Sequence, residues 1–497
     1  MTKIYTIASG CLLTLLTFPI TSSAQWVHTY GTETDKQVIH TAEIKDGVTL
    51  TFPDATADGS ETLSITPSEG DVYTLAIENI NRIATGGNIP TIRLTMDDPV
   101  IADKTTWHPG TFMMDGQGGY DDVAVVDVNV RGRGNSTFWY PKKPIRIKFE
   151  SKLSIAGLKK AKNYILLANF VDETLMKNAF AFRIGQLIGL PFTHHMIPVN
   201  VEVNGESWGQ YNLTEKRGIN GASVDIDETT GILIELAQTE SVDETYSFET
   251  GIEGLSAMVS DPDFDELYGD AESAEAGSGI QPTERLKAWE SDFRRITDLL
   301  FSNDYPTNDI DDLIDTESLV KWVMIHAVTL NKEPSIPKSC FMYKRNMDNG
   351  EKYYFGPMWD FDNSMGYHAL ITESLAYNSP WFYGLSTPGT IFFGRLLQSP
   401  SFKTKYLEEW HKFLTDIYPQ MLDYFDEYAQ LIAPSAWQNA QIWTQTRIDQ
   451  SSVDNIQPTE NLEKKVDEMK QWWIKRIEWM DSDPSKGLCG HSIMTFD

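Results

Sequence analysis

VAVVDVNV (123–130), RGRGNSTFWYPKKP (131–144) and IRIKFE (145–150) follow one another without a break. β-Branched residues alternate with polar ones in the outer two segments, and glycine and proline punctuate the middle one. The run therefore reads as strand, basic glycine-rich loop and strand. Working outward, TIRLTM (91–96) precedes it and NYILLANF (163–170) follows it as further strand candidates. From Asp172, ETLMKNAFAFRIGQLIG places apolar residues at helical spacing, with Asp172 as the expected cap and Gly189 and Pro191 as the stop. VNVEVNGESWGQYNLTEK (199–216) has the pattern of a hairpin turning at Asn204-Gly205. Strands come first, then a helix, then more strands, which is an α+β order rather than alternating βαβ.

Upstream, short alternating bursts at 48–52, 62–66 and 72–80 predict a small β-rich module over 25–88, with ATGGNIP (84–90) as its boundary. Residues 1–24 carry Lys3, an apolar stretch, Pro19 and Ser22-Ser23-Ala24, the pattern of a cleavable signal peptide cut after Ala24. Export to the periplasm, cell surface or medium is the expectation. A lipoprotein reading at Cys11 is weaker, because the apolar run continues past it.

Downstream, 225–285 is acidic and reads as a strand pair with long loops. Helical periodicity then runs through 284–301, 317–330, 402–417, 419–433 and 460–481. FMYKR and KYYFGPMWDFD, joined at Asn349-Gly350, predict a hairpin embedded among those helices, and 483–497 reads as a tail. Past the leader no segment has 18 uninterrupted apolar residues, so no membrane span is expected.

The 497 residues carry 71 Asp and Glu against 41 Lys and Arg, a net charge of −30. Nucleic acid is a poor partner for such a chain, because counterion release needs a cationic surface. Three cysteines are too few for a disulfide scaffold or a zinc ribbon. Cys340 and Cys489 lie beyond the leader and could pair, but sequence cannot place them within bridging distance. GxSxG, HExxH and CxxC are absent.

Two constellations carry chemistry. In Trp359-Asp360-Phe361-Asp362, carboxylates two apart would share one face at the end of a strand. They could ligate a hard cation or form an acid–base pair; the bland alternative is a turn acceptor beside a solvated acid. The second is the loop Arg131-Gly132-Arg133-Gly134 with Lys142, Lys143, Arg146 and Lys148, able to neutralise an anion or to form a solvated basic face. Asp261, Asp263, Asp265 and Glu272 mimic calcium-loop spacing, but Glu266 stands where glycine is needed and Pro262 interrupts, so an acidic linker is expected. His194-His195 has no third ligand nearby in sequence and reads as structural.

RGRGNST…PKKPIRIKFE, LLANFVDETLMKN, VEVNGESWGQYNLTEK, NKEPSIPKSCFMYK and GPMWDFDNSMG occur in that order. Together they resemble the CotH family, the spore-coat-protein-H type of atypical protein kinase. The motifs cover about residues 89–370, and the architecture plausibly extends the kinase-like domain over 89–482. The resemblance implies a two-lobed fold, with a β-rich N-lobe and a helical C-lobe. It also implies ATP with a divalent cation (Mg, Mn or Ca) and phosphate transfer to Ser or Thr hydroxyls of protein substrates, with the chain itself among the candidates. It assigns cofactor binding to Arg131, Arg133, Lys143, Lys148 and, on the hinge-side strand Tyr211–Lys216, Glu215. Lys148 resembles the kinase strand lysine, with Lys143 as its rival and Asp172 or Glu173 as its partner. Asp360 and Asp362 become metal ligands, and Asp360 and Glu333 the catalytic pair. Glu333 departs from the family's Asn-x-Asp pattern and sets its carboxylate about one bond further out, a distance to which near-attack geometry is sensitive.

A second reading is a catalytically weak, pseudokinase-like surface or adhesion module binding a protein or glycan. It would use the acidic insert at 225–281 and the Trp381-Phe382-Tyr383 stretch, although core packing is the expected fate of those aromatics. A glycosidase built on Asp360 and Glu333 is a more distant third.

Overall fold

A computed structural model describes the strands of the first 86 residues and residues 89–242, 246–262, 282–348, 350–366, 375–450 and 462–489. Its contacts fall into two units. One comprises Met1–Met176, Ile197–Thr214 and Asp423–Asp467; the other comprises Lys177–Met196, Glu215–Leu422 and Glu468–Asp497.

In the first unit, the first eight strands are β1 (Ile4–Thr6), β2 (Leu16–Ile20), β3 (Trp26–Gly31), β4 (Val38–Glu43), β5 (Val48–Phe52), β6 (Thr62–Pro67), β7 (Tyr73–Ala76) and β8 (Ile80–Gly86). They pair as two four-stranded sheets, β1-β8-β3-β4 and β2-β5-β6-β7. The strands expected at 48–52, 62–66 and 72–80 fall at β5, β6 and β7. β1 and β2 lie in the segment read as a leader.

Next come β9 (Thr91–Met96), β10 (His108–Asp115), β11 (Val123–Gly132), β12 (Ile145–Leu153), β13 (Ala161–Leu167), β14 (Ile197–Val203) and β15 (Glu206–Glu215). They close into a barrel in the order β10-β11-β12-β13-β15-β14-β9. Alternation decides which side chains fill it. Ile145, Ile147 and Phe149 of β12 are buried while Lys148 and Glu150 are exposed. Phe149 meets Phe112 edge-on at 5.1 Å, and Val199, Val201, Tyr211 and Leu213 complete the interior. The β14–β15 hairpin turns at Asn204-Gly205, both at positive φ, as its sequence requires. Asn204 also exchanges hydrogen bonds with the Met96 backbone on β9.

In the second unit, α1 (Lys177–Leu187) begins five residues after the expected cap. Asp172, in the first unit, instead accepts the Thr174 N–H and hydroxyl, capping a local turn. β16 (Ile232–Gln238), β17 (Ser247–Glu249), β18 (Leu255–Asp261), β19 (Cys340–Lys344) and β20 (Tyr354–Phe355) form one sheet, ordered β17-β18-β16-β19-β20. The expected isolated hairpin is therefore the edge of a larger sheet. β16 is apolar on both faces and needs a neighbour on each side, which β18 and β19 supply.

Helices follow as α2 (Pro282–Leu300), α3 (Thr316–Thr329), α4 (Pro388–Leu396), α5 (Pro400–Lys412), α6 (Tyr418–Gln450) and α7 (Leu462–Asp481). α4 is absent from the sequence reading because Gly389 and Gly394 weaken its pattern; its signal is the capping box at Thr387 and Thr390 with Pro388 in the first turn. α6 runs on through Pro434 past the expected end at 433. Among the described residues no helix is long and apolar enough to cross a membrane. Asp263, Asp265 and Glu272 of the calcium-like loop lie outside the described residues, while Asp261 accepts the Ile219 N–H. Cys340 and Cys489 are both buried and free.

Arg476 on α7 is fully buried, and every acceptor shown for its guanidinium is a backbone carbonyl: Ala327, Tyr377, Ser379 and Gly487. Burial pulls its pKa down to about 9, which leaves it charged at neutral pH. The cation thus sits against the carbonyl end of α3, where the helix dipole favours it. Arg476→Met should cost at least about 3 kcal/mol, because several buried carbonyls lose their donor together. Chemical denaturation of the purified variant measures it.

Candidate functional site

The acidic motif lies in a loop. β20 ends at Phe355, so Asp360 and Asp362 are not brought together by strand alternation as expected. Asp360 adopts φ +63, a region aspartate tolerates better than bulky residues. Without ladder partners the loop backbone is held by side chains. Asn331 Nδ2 donates to the Asp360 carbonyl at 2.8 Å, and Asn178 Oδ1 accepts the Phe361 N–H at 2.8 Å. Ser364 Oγ donates to the Phe361 carbonyl at 2.5 Å. Apolar rings wall it: Phe361 lies 4.8 Å from His326 and 6.3 Å from Phe182, and Trp359 lies 5.7 Å from His194. His194 is fully buried and its pKa falls to about 4, mainly through desolvation, so it stays neutral.

Glu333 is reached from the same amide. α3 ends at Leu330 in the left-handed conformation, and Asn331 Oδ1 accepts the Glu333 N–H at 3.0 Å. Trp381 Nε1 fixes Asn331 from behind, donating to its carbonyl at 2.7 Å. Gly389 of α4 presses on the same turn. A Cβ there would stand 2.0 Å from the Pro334 carbonyl oxygen, and Thr387 Oγ1 donates to the Ser335 carbonyl.

The result is a cluster of acids that repel one another. Burial first, then Asp360, raises the Glu333 pKa well above the ordinary carboxyl range, against the pull of Lys338. The Asp362 carboxyl is raised likewise, by burial and then by Asp360 and Glu333. Glu333 Oε2 and Asp362 Oδ1 are buried with no hydrogen-bond partner among the described residues. Such atoms are rare in folded proteins and point to an unseen water or ion. A divalent cation answers both the repulsion and the missing partners, so the residues fit one. Among the described residues no three His, Cys, Asp or Glu side chains form a metal cage by themselves. Two carboxylates suffice where phosphate oxygens and water complete the shell, as is usual for magnesium.

The basic candidates belong to the first unit. Lys148 is exposed on the outer face of the barrel, and Arg131, Arg146 and Lys148 gather round Trp107 at 4.6, 5.4 and 5.7 Å from its ring. Lys143 Nζ donates to the Phe138 carbonyl at 2.6 Å, and burial lowers its pKa. The Arg133 N–H donates to the Pro144 carbonyl, closing the loop. Lys142, which the sequence reading did not separate from its neighbours, is the buried lysine. Its ammonium donates to the Gln210 carbonyl and to Asn439 Oδ1 and lies 4.4 Å from the centre of the Tyr211 ring. Glu173 pairs with Lys465 at 3.1 Å rather than with Lys143 or Lys148.

Glu215, in the second unit, is engaged by His195 through ring and backbone. Burial would raise its pKa, but those bonds win and hold it below the usual range. Trp381 and Phe382 are core residues, as expected, and Tyr383 is exposed beneath the Lys332 ammonium. Sequence reasoning missed Asn178 and also Glu235, whose carboxylate accepts the Ser339 N–H at 2.8 Å and adds to the negative field at Glu333. Neither has a local signal, because each acts across more than 90 residues of chain.

Residues 130–480 match the family model described as CotH kinase protein. No curated protein matches the chain.

Because Glu333 and Asp362 bind protons more tightly folded than unfolded, their stabilisation is fully present below the unfolded carboxyl pKa, about 4. It is lost as pH rises through the raised folded values. In metal-free protein, Asp362→Asn should therefore gain thermal stability over the wild type progressively as pH rises above about 4, the unfolded carboxyl value. Stability differences that stay constant as pH rises would contradict the raised protonation of buried Asp362.

Proposed function

The chain belongs to the CotH family, and from that membership we propose that it is an exported kinase-like phosphotransferase, using ATP with a divalent cation to phosphorylate Ser or Thr hydroxyls of envelope or extracellular proteins. The two-lobed kinase-like fold is part of the same proposal. The observation that carries it is the Glu333–Asp360–Asp362 cluster, with its two buried, unpartnered carboxylate oxygens.

Phosphoryl transfer asks a protein for phosphate neutralisation, metal carboxylates and a group that orients the nucleophile. Asp360 and Asp362 would hold the cation, whose charge offsets that of the phosphates. Glu333 would accept the hydroxyl proton; desolvation makes its carboxylate a stronger base than one in water. Its turn is fixed by Asn331 and Trp381, so the extra methylene of glutamate extends from a rigid anchor. Arg131, Arg133, Lys143 and Lys148 are the proposed phosphate-neutralising residues by family resemblance, with Glu215 on the strand proposed to meet the base. The signal peptide proposed at residues 1–24 would put this chemistry outside the cytoplasm.

Thermal-shift titration with ATP, with and without Mg²⁺, Mn²⁺ or Ca²⁺, tests the reading. Ligand at 100 times its Kd should stabilise the fold by roughly 2.7 kcal/mol. The shift should require metal and vanish in Asp360→Asn. Absence of any shift in folded protein would favour the adhesion-module reading. In transfer assays, Glu333→Gln should retain the ATP–metal shift while losing at least about 100-fold in rate, the usual contribution of a general base.

A further inference from the structure

The first two residues of α1 converge on the acidic loop. Asn178 accepts the Phe361 N–H, and Lys177, itself only 4 % exposed, donates from Nζ to the Asp362 carbonyl at 3.3 Å. A lysine so deeply buried is costly unless its charge is used. Its bond falls on the backbone of a residue whose side chain has an unpartnered oxygen.

With Asn331 on the Asp360 carbonyl, three consecutive residues are thus gripped by three side chains: Asn331 on 360, Asn178 on 361 and Lys177 on 362. The helix end adds its own partial positive charge on the same side. Among the described residues no ladder hydrogen bond holds residues 360–362, so these contacts set the backbone from which the two carboxylates project.

We infer that Lys177 and Asn178 are positioning residues, setting the carboxylates of Asp360 and Asp362 in the geometry that binds a divalent cation. The inference rests on the metal-dependent reading above. It also opposes simple electrostatics. A cation beside a metal site repels the metal, so deleting the Lys177 charge should by Coulomb's law tighten binding. A positioning role predicts the reverse, because losing a residue that orients metal ligands costs 10–100-fold in affinity.

The test measures Mn²⁺ binding by the full-length protein, titrated without nucleotide, in the wild type, Lys177→Met, Lys177→Arg and Asn178→Ala. Hydrogen exchange of the 358–366 peptide is followed in the metal-free proteins. Lys177→Met, which keeps the side chain's length, should weaken Mn²⁺ at least tenfold and speed exchange of the peptide, with Asn178→Ala doing the same and Lys177→Arg recovering most of both. Unchanged or tighter Mn²⁺ binding by Lys177→Met overturns the inference while leaving the kinase reading intact. If the wild type itself fails to bind Mn²⁺ without nucleotide, the inferred metal role of Lys177 and Asn178 is refuted, and the kinase reading is left to the ATP–metal thermal shift. The exchange data then decide whether Lys177 and Asn178 hold the loop at all, and unaltered exchange refutes that as well.

Discussion

Carboxylates brought together behind aromatic walls repel one another and lose hydration, and the second unit holds Glu333 and Asp362 in that condition beside the half-buried Asp360. Asn331 is the pivot. One end of its amide fixes the Asp360 carbonyl and the other the Glu333 N–H, so two segments almost 30 residues apart share one anchor. Behind it stand Trp381, bonded to the Asn331 carbonyl, and Arg476, bonded to the last turn of α3. Glu333 and Asp362 each present a buried oxygen without a hydrogen-bond partner among the described residues, and the proposed cation binding rests on that feature.

The first unit solves a different problem. Its barrel buries one face of every strand, so charged side chains must stand outside it. Arg131 and Arg146 lie directly opposite each other on β11 and β12, a like-charge pairing that weakens a sheet. Trp107 shares its ring between them and Lys148, which offsets part of that repulsion. Lys142 takes the opposite course: it leaves the basic stretch altogether and is satisfied by a carbonyl and an amide oxygen in the interior. Two lysines six residues apart, Lys142 and Lys148, thereby have unrelated environments.

Much of this was legible in the chain. Alternation in IRIKFE placed Ile145, Ile147 and Phe149 inward; Asn204-Gly205 announced its turn; and the five motifs carried the family. The places where local reading failed share a cause. Asp172 looked like a helix cap because Asp before an apolar run usually is one, yet Thr174 supplied nearer donors. Trp359-Asp360-Phe361-Asp362 looked like a strand because its residues alternate, yet the strand stops at Phe355 and side chains from α1 and the end of α3 complete the loop.

The sequence by itself determined the α+β class, six of the seven barrel strands and the acidic motif, because periodicity, turn chemistry and residue type are local properties; Glu333 entered through the family resemblance, and β10 had no reading in the sequence. Only the tertiary structure decided that Asp362 is buried with one oxygen unpartnered, that Lys142 rather than Lys148 is the interior lysine, and that Asn178, Asn331 and Glu235 close round the acids. Burial and hydrogen-bond partnership depend on what arrives from elsewhere in the chain, from 29 residues away for Asn331 on Asp360 to 183 for Asn178 on Phe361, and no local pattern encodes that arrival.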